Sequence, residues 1–263
     1  ETIKHIFDPV ITKAIEAAKP SDLPKLVEVL KQVSKEDPTI KVEINEQTGE
    51  HLIHGMGELH LEVIENRIKT EKGVDVKTSP PIVVYRETVT KSGPEIEGKS
   101  PNKHNKLYFV VEPLEDSLYE RIKDGTIPEM RIKKRDLKLR EHFIEAGYDA
   151  KTADRVKDVF KGNILIDGTR GIVHIGEIME MVQDMFEDVM SQGPICKDPA
   201  AKVKVMLMDA KLHEDAIHRG PAQMYPAIRD GIRGSFMLAG PQMLEPMQIL
   251  HIEAPEEYMG EIS

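Results

Sequence analysis

Residues 36–64 read EDPTIKVEINEQTGEHLIHGMGELHLEVI. Ile40, Val42 and Ile44 recur with period two, EQTGE supplies turn residues, and Leu52 and Ile53 resume an apolar run, so the first half is a β-hairpin. Past Gly55 and Gly57 the period changes, because Leu61, Ile64 and Ile68 share one face of a helix that ends at Gly73. Gly57 suits the N-cap, with the Glu58 carboxylate near the helix's positive end. Gly55 is expected at positive φ, where valine would cost about 1–3 kcal/mol.

Outward from this stretch, HIFDPVITKAIEAA (residues 5–18) suits a strand. PSDLPKLVEVLKQVSKED then offers Ser21 or Asp22 as N-cap, Pro24 in the first turn, and Leu26, Leu30 and Val33 at helical spacing. On the other side VDVKT is a short last strand. The sum, βαββαβ, is a ferredoxin-like sandwich in an α+β chain.

The paired prolines of TSPPIV close this unit. Beyond them IVVYRETV and KLYFVVEPL read as strands around a Gly/Ser/Pro/Asn loop, DSLYERIKDGTI and EMRIKKRDLKLREHFIEAG as helices, and GNILID as a strand. HIGEIMEMVQDMFEDVMSQG is an amphipathic helix with Ile178, Val182, Met185, Phe186 and Val189 on its core face. AKVKVMLMDAKLH is a long alternating strand, and Pro226 is placed in the first turn of the helix that follows. His218 therefore falls in a strand-to-helix loop punctuated by Gly220 and Pro221. The final residues, PMQILHIEAPEEYMGEIS, open a further strand and helix.

With 263 residues, 40% hydrophobic and 31% charged, the composition is that of a soluble globular protein. No apolar run approaches the roughly 18 residues that span a bilayer, and ETIKHIFDPV lacks the order of a signal peptide, so the chain reads as cytoplasmic and free of membrane contact. The single cysteine, Cys196, forms no internal disulfide and is expected as buried filler. A net charge of −10 excludes a uniformly nucleic-acid-binding surface, so any RNA contact must be local.

Catalytic constellations mostly fail. His51, His54 and His60 have a zinc-compatible spacing but run from a strand through a glycine turn into a helix without a cysteine. A metal-dependent enzyme built on them is the weakest reading. The carboxylates of the hairpin alternate with Ile and Val as a solvated face requires, and RIKKRDLKLR from Arg131 reads as a solvated helix face. There is no phosphate-binding glycine loop and no Ser-His-Asp or Cys-His ordering, so no residue is assigned to catalysis, and neither binding nor hydrolysis of GTP is expected.

Two loops remain. GKSPNKHNK, residues 98–106, gathers Ser100, Pro101, Asn102, Lys103, His104, Asn105 and Lys106 after Lys99, and HRG supplies His218, Arg219 and Gly220. If their strands have suitable polarity, the loops meet as a basic RNA-facing tip on an acidic body. The alternative is a solvated loop whose Arg219 is neutralised by Glu214 and Asp215.

The stretch quoted at the outset closely resembles the third domain of the translocation GTPases, the elongation factor G and elongation factor 2 family. SPNKHNKLY and DAIHRGPAQ resemble domain IV of its archaeal and eukaryotic branch, the latter in its archaeal form. The resemblance covers the whole chain. It implies a ferredoxin-like domain III over residues 1–79, a ribosomal-protein-S5-like α/β domain IV over 80–244, and the start of domain V over 245–263. GTP and Mg²⁺ would belong to an N-terminal domain outside this chain, leaving no cofactor within it.

It further implies a monomer that acts in GTP-dependent ribosomal translocation of tRNA and mRNA, its domain IV tip entering the decoding region against ribosomal RNA. His218 would be the residue that dedicated enzymes convert to diphthamide using S-adenosylmethionine, and the one to which bacterial toxins attach ADP-ribose. Conversion would fix a permanent cation in place of a group whose charge depends on pH. The other reading is a stand-alone RNA-binding module without GTPase activity.

Overall fold

The computed structural model describes residues 9–44, 51–80, 82–133 and 136–247. The chain divides into two compact units at the Val84–Tyr85 junction, and the second ends at Leu244.

The first unit contains β1 (Ile11–Ala17), α1 (Leu23–Glu36), β2 (Lys41–Ile44), β3 (His51–Gly55), α2 (Glu58–Thr70), β4 (Val76–Thr78) and β5 (Ile82–Val83). The strands pair antiparallel in the order β2-β3-β1-β4, with β5 added to β1. This is the ferredoxin-like topology read from the hydrophobic periods. Ile15 and Ile53 from the sheet, Leu26, Leu30 and Val33 from α1, and Leu61, Ile64 and Ile68 from α2 close one core. Asp22 is the N-cap of α1, and Pro24 sits in its first turn. The EQTGE turn of the hairpin lies outside the described residues.

Gly57 is the N-cap of α2 in extended conformation. Gly55 corrects the expectation, since it is not among the positive-φ glycines. Its constraint is space, because a Cβ there would stand 2.6 Å from Leu61 Cδ2, whereas at Gly57 nothing lies within 4 Å. Gly55→Ala is therefore expected to cost about 1–3 kcal/mol by overpacking, and Gly57→Ala less than 1 kcal/mol. Urea unfolding of the two variants checks this, and equal losses would refute the packing argument.

In the second unit β6 (Arg86–Val89), β7 (Ile96–Lys99) and β8 (Lys106–Pro113) are followed by α3 (Asp116–Lys123), β9 (Met130–Arg131), α4 (Leu137–Glu145) and α5 (Ala150–Ala153). Then come β10 (Val156–Phe160), β11 (Asn163–Asp167), α6 (Ile175–Ser191), β12 (Val203–Lys211), a one-turn 3-10 helix (Ala216–Arg219), α7 (Pro221–Leu238) and β13 (Pro241–Leu244). The six-stranded sheet has the order β7-β8-β12-β11-β10-β9, and β6 and β13 form a separate ribbon. Within this sheet, among the described residues, β11 and β12 are the parallel pair, and α6 is the crossover that such a pair requires.

Both faces of the central strands are covered. Leu165 packs with α6 and α7, while Ile164 and Ile166 pack with the residues of α3, α4 and α5. That alternation explains why NILID is apolar throughout. Ile178, Val182, Phe186 and Val189 form the buried face of α6, with Met185 partly buried against the same core.

Several expectations are corrected. β7 is a strand the periodicity hid, since one of its two inward positions is Gly98. β10 was hidden by the buried polar Asp158 among its valines. Met130 and Arg131 pair with β10 instead of beginning a helix. Pro226 lies inside α7, which starts five residues earlier because Gly220 is its N-cap and Pro221 opens it. Cys196 is exposed, its backbone N–H being held by Glu87 Oε1 at 2.8 Å. No helix among the described residues is long and apolar enough to cross a membrane.

Candidate functional site

The β7–β8 connection and the β12–α7 connection meet at one end of the six-stranded sheet, because Lys99 pairs with Lys106 and Lys106 pairs with Lys211. The first loop is tied to itself. Ser100 N donates to Asn105 O at 3.0 Å, Asn105 N to Ser100 Oγ at 3.0 Å, and Lys103 N to Ser100 O at 2.8 Å, with Lys103 at φ 64. Ser100 Oγ and His104 N both donate to Asn102 Oδ1, at 2.6 and 3.1 Å.

The two loops are then joined through asparagine amides. Asn105 Nδ2 donates to the carbonyl of His218 at 2.7 Å, and its Oδ1 accepts from His213 N at 3.0 Å. Asn102 Nδ2 reaches the same carbonyl at 3.2 Å, and Asn102 N donates to Gln223 Oε1 at 2.9 Å. Asn105 is fully buried, so its amide is shielded from water, whereas Asn102 is half-buried. The backbone of His218 is thus fixed from within while its imidazole remains half-buried beside two others. Ring centroids of His104, His213 and His218 lie 4.4–5.0 Å apart.

Arg219 does not face solvent. It is 5% exposed, its Nη1 donating to the carbonyls of His213 and Glu214 and its Nη2 to Glu177 Oε2. The other Glu177 oxygen meets His174 Nδ1 at 2.6 Å, and the bonds from Arg219 and then His174 hold the Glu177 carboxyl below the usual carboxylate range. Glu177 lies in the first turn of α6, 42 residues from Arg219, which is why sequence reading missed it. The neighbouring acids are used differently, Asp215 capping the 3-10 turn through Ile217 N at 3.1 Å.

The structure therefore sorts the sequence candidates. Ser100, Asn105 and Arg219 are buried supports, and Lys106 is engaged with Glu97 Oε2 at 2.8 Å. Pro101, Lys103 and His104 are exposed, and Asn102, His218 and Gly220 are half-buried. Gly220 has φ −66 and open space where a Cβ would stand, so no positive φ requires glycine there. Ile217, not singled out in the sequence, is 78% exposed beside His218. Chemically this apex offers imidazole nitrogens, one ammonium and an aliphatic side chain on a rigid frame, which suits contact and covalent modification from outside.

In the first unit two of the candidate histidines have local partners, His54 Nδ1 with Thr12 Oγ1 at 2.7 Å and His60 Nε2 with Asp37 Oδ2 at 3.1 Å. Among the described residues no group of three potential ligands is placed to hold a metal.

Comparison with known proteins finds a family-model match within each unit. Residues 6–80 match the family model Elongation Factor G, domain III, and residues 125–240 match Elongation factor G, domain IV. The chain is 56% identical over 262 residues to elongation factor 2 of Methanocaldococcus jannaschii, covering 99% of this chain and 36% of the relative. It is 54% identical over 260 residues to elongation factor 2 of Methanosphaera stadtmanae, with 99% and 35% covered. Against elongation factor 2 of Thermococcus onnurineus it is 53% identical over 264 residues, with 100% and 36% covered. The chain thus spans about a third of the length of the curated relatives it matches.

Proposed function

Since the chain belongs to the elongation factor 2 family, we propose that it forms the part of a translocation factor that carries His218 to the RNA of the ribosomal decoding region as tRNA and mRNA advance. In this reading nucleotide chemistry, with GTP and Mg²⁺, belongs to another part of such a factor. The factor works as a monomer in the cytoplasm, where ribosomes are, and His218 is the target of the enzymes that build diphthamide. A stand-alone RNA-binding module loses ground, because the relatives sharing this whole stretch are elongation factors.

The observation that carries the reading is the double clamp on the His218 carbonyl by Asn102 and Asn105. It uses one buried and one half-buried amide to hold the backbone of a half-buried histidine, an arrangement that a loop merely capping a strand does not need. Lys103 supplies the adjoining ammonium, and its side chain makes no hydrogen bond or ion pair among the described residues.

Lys103→Ala in the intact factor is expected to slow translocation, to leave GTP affinity unchanged, and to lower the salt slope of ribosome binding by roughly 0.7–0.9 for one lost phosphate contact. Stopped-flow translocation and binding across a salt series measure this, and a normal rate with an unchanged slope would overturn the apex as an RNA contact. Intact mass of the protein from its native source reads the state of His218 directly.

A further inference from the structure

Lys99, Lys106 and Lys211 stand directly opposite one another on β7, β8 and β12, as the pairs Lys99↔Lys106 and Lys106↔Lys211. Directly opposed residues in an antiparallel pair have Cβ atoms about 5 Å apart, and like charges there are destabilising. On the α7 side the neighbouring positions are taken by Gly98, whose Cβ would meet Ala227 O, and by buried Leu107 and Ala210. Because successive residues of a strand face opposite ways, the three ammoniums share the face turned away from α7. Lys99 and Lys211 are exposed, and Lys106 alone has a carboxylate partner, Glu97, which also accepts from Tyr108 Oη at 3.0 Å. Two carboxylates share that face, Glu97 two residues before Lys99 and Asp209 two residues before Lys211. Three ammoniums thus face two acids, one of them already bonded to Lys106, and the row keeps an excess of positive charge open to an anion from outside.

We infer that the Lys99–Lys106–Lys211 row is a second nucleic-acid contact, a phosphate-binding strip that continues the apex down one face of the sheet and lies against the backbone of structured RNA. The inference rests on the apex reading for the kind of partner, and on its own geometry for the place. The strip is rigid because each lysine is anchored in a hydrogen-bonded ladder, so it binds backbone by spacing of charge and reads no base.

The test is the double variant Lys99→Ala/Lys211→Ala in the intact factor, with Lys103→Ala in parallel, measured by binding to purified archaeal ribosomes over a salt series and by thermal unfolding. The expected result is a slope lower by roughly 1.4–1.8, two contacts at 0.7–0.9 each, with the unfolding midpoint unchanged or raised as the repulsion is relieved. Lys99→Arg/Lys211→Arg should restore the slope. An unchanged slope in the double variant, or a fall in its midpoint, overturns the strip. If Lys103→Ala alone lowers the slope, the strip fails and the apex stands; if the double variant alone lowers it, the strip stands and the apex reading fails.

Discussion

Glu87→Ala is expected to destabilise the second unit by about 3 kcal/mol or more. The Glu87 carboxylate is completely buried and accepts from three backbone N–H groups, those of Ile195 and Cys196 at 2.8 Å each and Asp198 at 3.2 Å. Its own backbone adds two bonds to the same segment, N to Pro199 O at 3.0 Å and O from Ala201 N at 2.9 Å. Truncation removes the acceptor but keeps the donors, and each donor left dry costs about 1–3 kcal/mol before the loop relaxes to reach water. The room for this arrangement is made by Gly193, where a Cβ would stand 2.2 Å from the carboxylate. Glu87→Gln keeps one acceptor oxygen and should lose less than Glu87→Ala. Urea unfolding with an unchanged m-value is the measurement. A loss below 1 kcal/mol for Glu87→Ala would mean that the loop finds other partners.

Gly98→Ala is expected to cost about 3 kcal/mol and to weaken the apex as well. A Cβ at Gly98 would lie 1.9 Å from Ala227 O and 2.9 Å from Ala227 C, both helix backbone atoms that cannot rotate away. The approach is reciprocal, since a Cβ at Gly231 would stand 2.6 Å from Phe109 Cδ2 and 3.3 Å from Gly98 Cα. Accommodation therefore requires α7 to move off β7. The first turns of α7 hold Gln223, which receives Asn102 N, and the helix continues directly from the His218 turn. A displaced α7 thus carries the clamped loop with it. Gly176→Ala, with nothing within 4 Å of its Cβ in the first turn of α6, is the matched control and should be neutral or slightly stabilising. If Gly98→Ala and Gly176→Ala unfold at the same midpoint, the close approach of β7 and α7 is not what holds the helix.

Period alone set much of the architecture. The switch from alternation at Ile40, Val42 and Ile44 to helical spacing at Leu61, Ile64 and Ile68 was enough for βαββαβ, because each segment buries one face and side-chain geometry leaves few other ways to do so. α6 and β12 were legible for the same reason. β7 and β10 were not, since Gly98 and Asp158 stand where an apolar residue would have carried the signal.

At the candidate site, composition determined that the 98–106 and 218–220 loops are polar, turn-forming and rich in donors, and their flanking strands made a meeting possible. It could not determine which members point outward. Lys103 and Arg219 look alike in a sequence, yet one ammonium is exposed and the other cation is buried against Glu177. That difference arises from a carboxylate on a helix 42 residues away, brought near by the β11–α6–β12 crossover. The same holds for Asn105, whose amide has both ends filled only once β8 and β12 are in register, and for the lysine row, whose opposition exists only across three paired strands. Local period is a property of consecutive residues and survives in one dimension; the partner of a charge is set by distance in three, and only the folded chain fixes it.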